Sequence, residues 1–151
     1  MAKVSIDLTK KLREQTNAPV MECKKALEEC DGDMKKAKGW LAKKELARAE
    51  KKKDREAKEG LIHCYIHSER KIGAMVKLCC QTDFVAKNRE FEKLAHEICL
   101  QIAAMKPKNI KALLSQEYIR DPKKKIEGLL KEAIAKFGEN IKIEEFERLE
   151  V

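Results

Sequence analysis

The stretch GLIHCYIHSERKIGAMVKLCCQTDFVAK, residues 60–87, decides the fold because its apolar side chains recur with a period of two. Side chains at this period alternate between the two sides of a strand. In residues 60–67 one side holds Ile62, Cys64 and Ile66, and the other holds Leu61, His63, Tyr65 and His67. After a turn at residues 68–71, the second alternating set is Ile72, Ala74, Val76, Leu78 and Cys80. The stretch predicts a β-hairpin with one strongly apolar face.

Two helices and a further strand are expected after the hairpin. Asn88 can cap the first helix, whose apolar stripe ends before Pro107. That stripe is Phe91, Leu94, Ala95, Ile98 and Ile102, and the stripe of the second helix is Ile126, Leu129, Leu130, Ala133, Ile134 and Phe137. Gly138 is placed to end the second helix in the αL conformation, whereas residues 108–122 show no readable pattern. A strand is predicted from the Ile141/Ile143 alternation, with a bulge or bend where Phe146 breaks its parity.

Residues 1–41 are predicted to form a bundle of three short helices. Ser5 can cap the first helix, and Pro19 suits the start of the second. The stripe of the second helix is Val20, Cys23, Leu27 and Cys30. Asp31 and Gly32 end this helix, and Asp33 can cap a third that carries Met34, Ala37, Trp40 and Leu41.

A charged segment, residues 42–59, follows the bundle. Eight of its eighteen residues are Lys or Arg and five are Asp or Glu, so it has little apolar surface to bury. We interpret it as a helical or frayed linker. The predicted fold class is therefore α+β: a three-helix bundle at 1–41, a charged linker at 42–59, and a small antiparallel sheet packed with helices at 60–151.

The composition bounds the function. The chain of 151 residues has 34 Lys and Arg against 26 Asp and Glu, a formal net charge of +8. No apolar run approaches the ~20 residues of a membrane span, and the first seven residues lack the apolar run of a secretory signal, so we expect a cytoplasmic protein with no membrane association. Because the positive charges are interleaved with acids, a solvated surface is favoured over a nucleic-acid site.

Catalytic and metal chemistry find little support. The chain has no phosphate-binding glycine loop, no G-x-S-x-G and no H-E-x-x-H, so an enzyme is not predicted and no cofactor is expected. The six cysteines show no C-x-x-C, and we interpret them as buried free thiols. His63 and His67 share a strand face with Cys64 on the other side, so a histidine pair is favoured over a metal site.

The segment Gln81–Asn88 allows two interpretations. As a plain helix start, Thr82 caps the helix, Asp83 lies near its positive end, and Phe84 enters the core. Alternatively, an acid beside a large aromatic ring, in a connector where polar residues are the norm, indicates a functional segment.

Three separated blocks make the chain resemble the elongation factor Ts family. The blocks are the hairpin with Gln81–Ala86; Leu12–Thr16, Met21–Leu27, Gly32-Asp33 and Trp40-Leu41; and Ile134–Ile141 with Phe146. The resemblance spans almost the whole chain, with Asn17 and Pro19 at places where the family usually has glycine. Family members commonly carry a long helical insertion before the third block, so a compact, single-core form is expected here.

The resemblance implies a guanine nucleotide exchange factor that binds elongation factor Tu, both GDP-bound and nucleotide-free. In the family, the Thr-Asp-Phe-Val segment enters near the partner's Mg²⁺ and phosphate site, which here means Thr82, Asp83, Phe84 and Val85. The bundle resembles a ubiquitin-associated unit that packs on the partner's nucleotide-binding domain. Candidate contacts there are Arg13, Val20 and Met21, although Val20 and Met21 could equally belong to the bundle's own core.

The sequence leaves other hypotheses about the binding partners open. A basic, ribosome-associated RNA-binding module is the main alternative, but the basic run at 43–58 has no interleaved aromatic residues for stacking on bases. A plain interaction scaffold built on the three-helix unit is a third reading. The single-core form also raises the prospect of a homodimer that presents more contact surface.

Overall fold

A computed structural model describes residues 4–151 of the chain. The helices are α1 (Ile6–Thr16), α2 (Val20–Glu29), α3 (Met34–Lys52), α4 (Asp83–Ala86), α5 (Arg89–Met105), α6 (Ile110–Ser115) and α7 (Ile126–Phe137). The strands are β1 (Glu59–Ile66), β2 (Ile72–Cys80), β3 (Glu117–Tyr118), β4 (Asp121–Lys125) and β5 (Lys142–Glu150). The predicted α+β class is confirmed. The chain divides after Glu50 into two compact units.

The first unit contains the three predicted helices, and their caps follow the sequence signals. The Ser5 side chain accepts a hydrogen bond from the Leu8 N–H, and Asp33 accepts from the N–H groups of Lys35 and Lys36. Asn17 ends α1 in the αL conformation at φ 54°, which asparagine tolerates. The fully buried core residues are Leu12, Cys23, Ala26, Leu27 and Ala37. Residues 1–3 of the predicted bundle lie outside the described residues.

Helix α3 continues well beyond the predicted end of the bundle, to Lys52. Its later turns remain helical although they carry few apolar side chains, because Lys and Glu have good helix propensity. The boundary between the compact units, at Glu50 and Lys51, falls inside the segment interpreted as a linker. The three-part division of the chain stays a prediction.

The second unit is built on an antiparallel sheet with strand order β1-β2-β5. The register pairs His63 with Val76 and Val76 with Phe146. A register shift opposite Lys77 and Leu78 provides the bulge predicted near Phe146. Helix α5 begins after Asn88, whose side chain caps it as expected, and packs on β1 and β2. Gly138 ends α7 with φ 74°, also as predicted.

The side of β1 that is covered in the structure is not the more apolar side that the alternation suggests. Ile62 and Ile66 are 66% and 60% exposed, whereas Leu61, His63 and Tyr65 are half-buried on the side of α5. The reason is the register: Leu61 and His63 pair with Leu78 and Val76 and so share the buried side of β2. The apolar side of β1 is therefore the outer face of the sheet, a tertiary choice that strand periodicity leaves open.

Residues 108–122, which showed no sequence pattern, form α6 and most of a two-stranded ribbon made by β3 and β4. Asn109 caps α6 by accepting from the Ala112 N–H. Gln101, fully buried on α5, donates from its amide to the Glu117 carbonyl and accepts from the Ile119 N–H. One buried polar side chain thus ties the ribbon to α5, and this contact has no signature in local sequence.

Candidate functional site

The segment between β2 and α5 forms a single helical turn, α4, with Thr82 as its cap. We call residues 82–85, the cap and the first three residues of this turn, the tip. Thr82 has extended backbone, and its hydroxyl accepts a hydrogen bond from the Val85 N–H at 3.5 Å. Val85 is buried at 9% exposure, but Phe84 is 82% exposed. The helix-start interpretation is thus confirmed for the cap and wrong for Phe84, which points to solvent because the turn directs Val85 inward.

Glu139 holds the base of the tip from a distant part of the chain. Its Oε2 atom accepts hydrogen bonds from the backbone N–H groups of Gln81 and Thr82, both at 3.0 Å. Its Oε1 atom accepts from the Thr82 hydroxyl at 2.6 Å. The Thr82 hydroxyl therefore donates to Glu139 while it caps α4, so both of its hydrogen-bonding roles serve the tip's shape.

Two more contacts fix the same base. The Cys80 thiol donates to the Thr82 carbonyl oxygen, with Sγ and O 3.2 Å apart. Burial and, secondly, the nearby Glu139 charge raise the pKa of Cys80 to about 11, so the thiol keeps its proton at neutral pH. Asn140 donates its backbone N–H to the Gln81 side-chain oxygen at 2.7 Å, and its own amide donates to the carbonyls of Lys53 and Arg55.

Asp83 is the charged member of the tip. Lys87, one helical turn later, donates to its carboxylate with Nζ and Oδ2 2.9 Å apart. This hydrogen bond and the charge of Lys87 lower the pKa of the Asp83 carboxyl below its ordinary range. Both side chains are well exposed, so a partner's cations can compete for the Asp83 carboxylate, which is ionised at neutral pH.

The bundle residues chosen from the sequence all lie at the surface. Arg13 is exposed, and Val20 and Met21 are 46% and 73% exposed. The alternative that Val20 and Met21 belong to the bundle core is therefore wrong, because Cys23 and Leu27 occupy the inward positions of α2. Beside them, Glu22 pairs with Lys44 and with Arg48 of α3, which lowers the pKa of the Glu22 carboxyl.

The histidines pair differently from the sequence expectation. His63 does not meet His67; its Nε2 atom lies 3.1 Å from Nδ1 of His96 on α5, and His67 hydrogen-bonds to the Tyr65 hydroxyl. Within residues 4–151 there is no group of three His, Cys, Asp or Glu side chains arranged to hold a metal ion. His96 was missed because it lies 33 residues from His63, and only tertiary packing joins them.

All six cysteines are free thiols. Four are buried, as interpreted from the sequence, and Cys30 is half-buried. Cys64 is the exception, since it is exposed on the outer face of the sheet with Ile62 and Ile66. Its apolar neighbours in the sequence predicted that Cys64 is buried. This prediction is wrong, because the register of β1 with β2 places Cys64 on the outer face.

The fold and the tip together define a class of protein: a helical bundle and an α+β unit, each of which presents apolar side chains to solvent. The comparisons with known proteins are specific. The family model described as Elongation factor TS matches residues 81–151. An elongation factor Ts of Coprothermobacter proteolyticus is 42% identical over 191 positions that cover 97% of this chain and 97% of the relative.

Two further relatives agree. An elongation factor Ts of Oleidesulfovibrio alaskensis is 41% identical and covers 100% of this chain and 99% of its own length. One of Aquifex aeolicus is 51% identical, with 95% of this chain matching 51% of that protein. The chain belongs to the elongation factor Ts family.

The alignments also show that this chain is shorter than these relatives. The match to the Coprothermobacter relative runs over 191 positions, whereas this chain has 151 residues, so at least 40 positions of the alignment have no residue here. The chain spans about half the length of the Aquifex relative. These differences agree with the expected compact form that lacks a family insertion.

Proposed function

We propose that this chain is a guanine nucleotide exchange factor that binds elongation factor Tu in its GDP-bound and nucleotide-free forms and promotes GDP release for exchange with GTP. The observation that carries the proposal is the tip: an 82% exposed aromatic ring on a backbone that side chains from elsewhere hold in place. Family membership supports the same function. The cytoplasm, where elongation proceeds, is the proposed location.

In this proposal Thr82, Asp83, Phe84 and Val85 disturb the partner's Mg²⁺ and phosphate site, with a division of work among them. Phe84 enters between packed elements of the partner, and burying such a ring contributes about 1.5–3 kcal/mol. Asp83 competes for groups around the Mg²⁺ ion, which proteins hold through few direct ligands. Thr82 and Val85 keep the tip in shape from inside.

The mechanism requires no acid or base on this chain. By thermodynamic linkage, a factor that binds the nucleotide-free partner more tightly must weaken GDP binding by the same ratio. A preference for one partner conformation is therefore enough to weaken GDP binding, and it needs no catalytic residue and no cofactor of its own. Arg13, Val20 and Met21 of the bundle supply affinity by packing on the partner's nucleotide-binding domain.

The test is a GDP-release assay on the matching elongation factor Tu, loaded with a fluorescent GDP analogue and chased with excess unlabelled GDP. The chain should accelerate release, and the Asp83→Ala, Phe84→Ala double variant should not. A release rate that the wild-type chain leaves unchanged would contradict the function. A double variant as fast as the parent would contradict the site alone.

Direct nucleic-acid binding is not part of the proposed function. The family assignment does not favour an RNA-binding module, and Lys and Arg in 42–59 alternate with acids such as Glu45, Glu50 and Glu56. Filter binding to ribosomal RNA should show no specific complex. Affinity that falls linearly in log K against log salt, at a slope of several charges, would instead support the RNA alternative.

We also propose that two copies of the chain associate through the outer face of the sheet. This face has an apolar row, Ile62, Ile66, Met75 and Leu149, each 44–76% exposed. Lys77 pairs across the strands with Glu145, and Met75 with Glu147, so the same face carries both signs of charge. A second copy related by a two-fold axis can oppose unlike charges around the apolar row.

Light scattering after gel filtration, over a range of concentrations, tests this association. The wild type should approach the mass of a dimer as concentration rises, and Ile62→Lys should remain a monomer. Ile6→Lys, at an apolar position on α1 that is also well exposed, is the matched control and should behave as the wild type. A wild-type monomer at every concentration would contradict the dimer.

A further inference from the structure

Resting on the proposed exchange function, we propose that Glu139 is the positioning residue of the tip: it fixes the direction of Phe84 without contacting the partner. The structure shows one carboxylate accepting three hydrogen bonds from two adjacent residues of the tip's base. A carboxylate that accepts several N–H and O–H groups is a strong, oriented anchor. Glu139 therefore acts on the backbone at Gln81 and Thr82.

These hydrogen bonds satisfy groups that the local structure leaves open. The N–H groups of Gln81 and Thr82 come at the end of β2 and the start of α4, where neither the sheet nor the helical turn pairs them. Glu139 pairs both, and it orients the Thr82 hydroxyl so that its lone pair faces the Val85 N–H. The cap of α4 thus depends on a residue 57 positions away in sequence.

The anchor is itself held in place. Glu139 follows Gly138, whose αL conformation turns the chain back at the end of α7. Asn140, 3% exposed, then binds the Gln81 side chain and the carbonyls of Lys53 and Arg55. Residues 138–140 therefore form a fixed corner that reaches both the tip's base and the segment entering β1.

The consequence for the tip is mechanical. A turn of four residues, α4, is too short to be stable by itself, because helix nucleation is unfavourable. An exposed Phe84 on a loose turn would have to be ordered during binding, and that ordering cost would reduce its effect. Glu139 removes this cost in advance. Because the bundle supplies affinity and Phe84 acts in the later step that opens the partner, we expect Glu139 to govern the maximal rate of GDP release more than the affinity.

Three variants of the full chain separate these effects. Glu139→Ala removes all three acceptors, Glu139→Gln keeps the shape and one acceptor oxygen, and Glu92→Ala changes an exposed glutamate of α5 as the control. The maximal release rate should fall about tenfold or more in Glu139→Ala and less in Glu139→Gln. It should not change in Glu92→Ala, and the concentration giving half the maximal rate should change less than the rate itself.

A double-mutant cycle with Phe84→Ala distinguishes positioning from a general loss of stability. If Glu139 acts through the direction of Phe84, removing Phe84 in the Glu139→Ala background should cost little further rate. If Phe84→Ala costs its full factor in that background, the positioning role is wrong. Urea unfolding of each variant shows that the assay is run on folded protein.

Amide hydrogen exchange tests the anchor on the free chain, without the partner. The N–H groups of Gln81 and Thr82 should be protected in the wild type, exposed in Glu139→Ala, and intermediate in Glu139→Gln. Unchanged protection in Glu139→Ala would overturn the proposal whatever the release assay shows. Lost protection with no release activity in the wild type would leave the anchor standing and remove the exchange function.

Discussion

The tip and the bundle surface both present apolar side chains to solvent, but they hold them in different ways. Phe84 is 82% exposed on a turn whose base is fixed by hydrogen bonds to Glu139 and Asn140, which lie far away in sequence. Met21 is 73% exposed on α2, where the period of one helix over a buried core places it. The direction of Phe84 depends on tertiary hydrogen bonds, whereas that of Met21 follows from the periodicity of α2.

This difference teaches what each surface can do. A side chain whose direction is fixed by several hydrogen bonds can enter a packed partner without first being ordered, which suits a step that changes the partner's structure. A helix face with exposed apolar residues buries area on contact and so contributes affinity. We therefore expect the tip to control the maximal rate of GDP release and the bundle to control binding.

The largest effect is expected from Leu27→Ala in the bundle core. Leu27 is fully buried, and such a truncation costs about 2–5 kcal/mol, comparable with the whole stability of a unit of this size. The first unit should unfold while the second keeps its fold, as circular dichroism and hydrogen exchange can measure. Affinity for the partner should fall, and saturating concentrations should restore the release rate.

The control for this variant is Lys25→Ala, an exposed position on the same helix, which should change stability by less than about 0.5 kcal/mol. A Leu27→Ala protein that loses the maximal rate, and not only affinity, would break the division between the two surfaces.

Phe84→Ala should have the next largest effect. Truncating a binding hot spot costs about 2 kcal/mol or more, which corresponds to about 30-fold in the maximal release rate. Phe84→Leu keeps most of the apolar volume and should retain most of the rate. Because the ring is exposed in the free chain, neither variant should lower the unfolding midpoint in urea. A clear loss of stability in Phe84→Ala would place the ring in the core instead.

Val20→Ser with Met21→Ser should have a smaller effect, confined to affinity. The pair is partly exposed, so we expect about tenfold weaker binding to elongation factor Tu, equal to about 1.4 kcal/mol, with the maximal rate retained. Titration calorimetry with Lys25→Ser as the control measures it. Unchanged affinity in the double variant would remove α2 from the interface.

Near neutral pH the smallest effect is expected from the buried thiols, because their ionisation begins to lower stability only above about pH 9. Burial raises the pKa of Cys80 to about 11 and that of Cys99 to about 12, from an ordinary value near 9. Since the unfolded chain releases these protons first, the stability of the second unit should be constant below pH 9 and fall as pH rises toward 11–12. Release activity should fall with it, because an ionised Cys80 no longer donates to Thr82.

Urea unfolding followed at pH 8, 9, 10 and 11 measures this decline, with the first unit as the internal reference. A Cys99→Ala variant should be less stable than the wild type at pH 8 and should show a shallower alkaline decline. Equal slopes for the two proteins would indicate that other groups are responsible.

Some features of this protein follow from sequence by itself. Ser5, Asp33 and Asn88 cap helices because short polar side chains satisfy open N–H groups in their own vicinity, and Gly138 ends a helix because it accepts positive φ. The bundle, the hairpin, the bulge near Phe146 and the family could be predicted for the same reason. Each depends on residues that are close together in the chain or on short blocks of sequence.

Only the tertiary structure decided the rest. Strand periodicity separates two faces of β1 but cannot say which one is covered, and pairing with β2 and packing by α5 put Ile62, Cys64 and Ile66 outside. In the same way, the sequence predicts that Thr82 caps a helix, but it does not predict that Phe84 is exposed. That exposure follows because Val85 turns inward and because Glu139, 57 residues away, binds the turn. Contacts of that range leave no local pattern, so the direction of the Phe84 ring is a property of the folded chain.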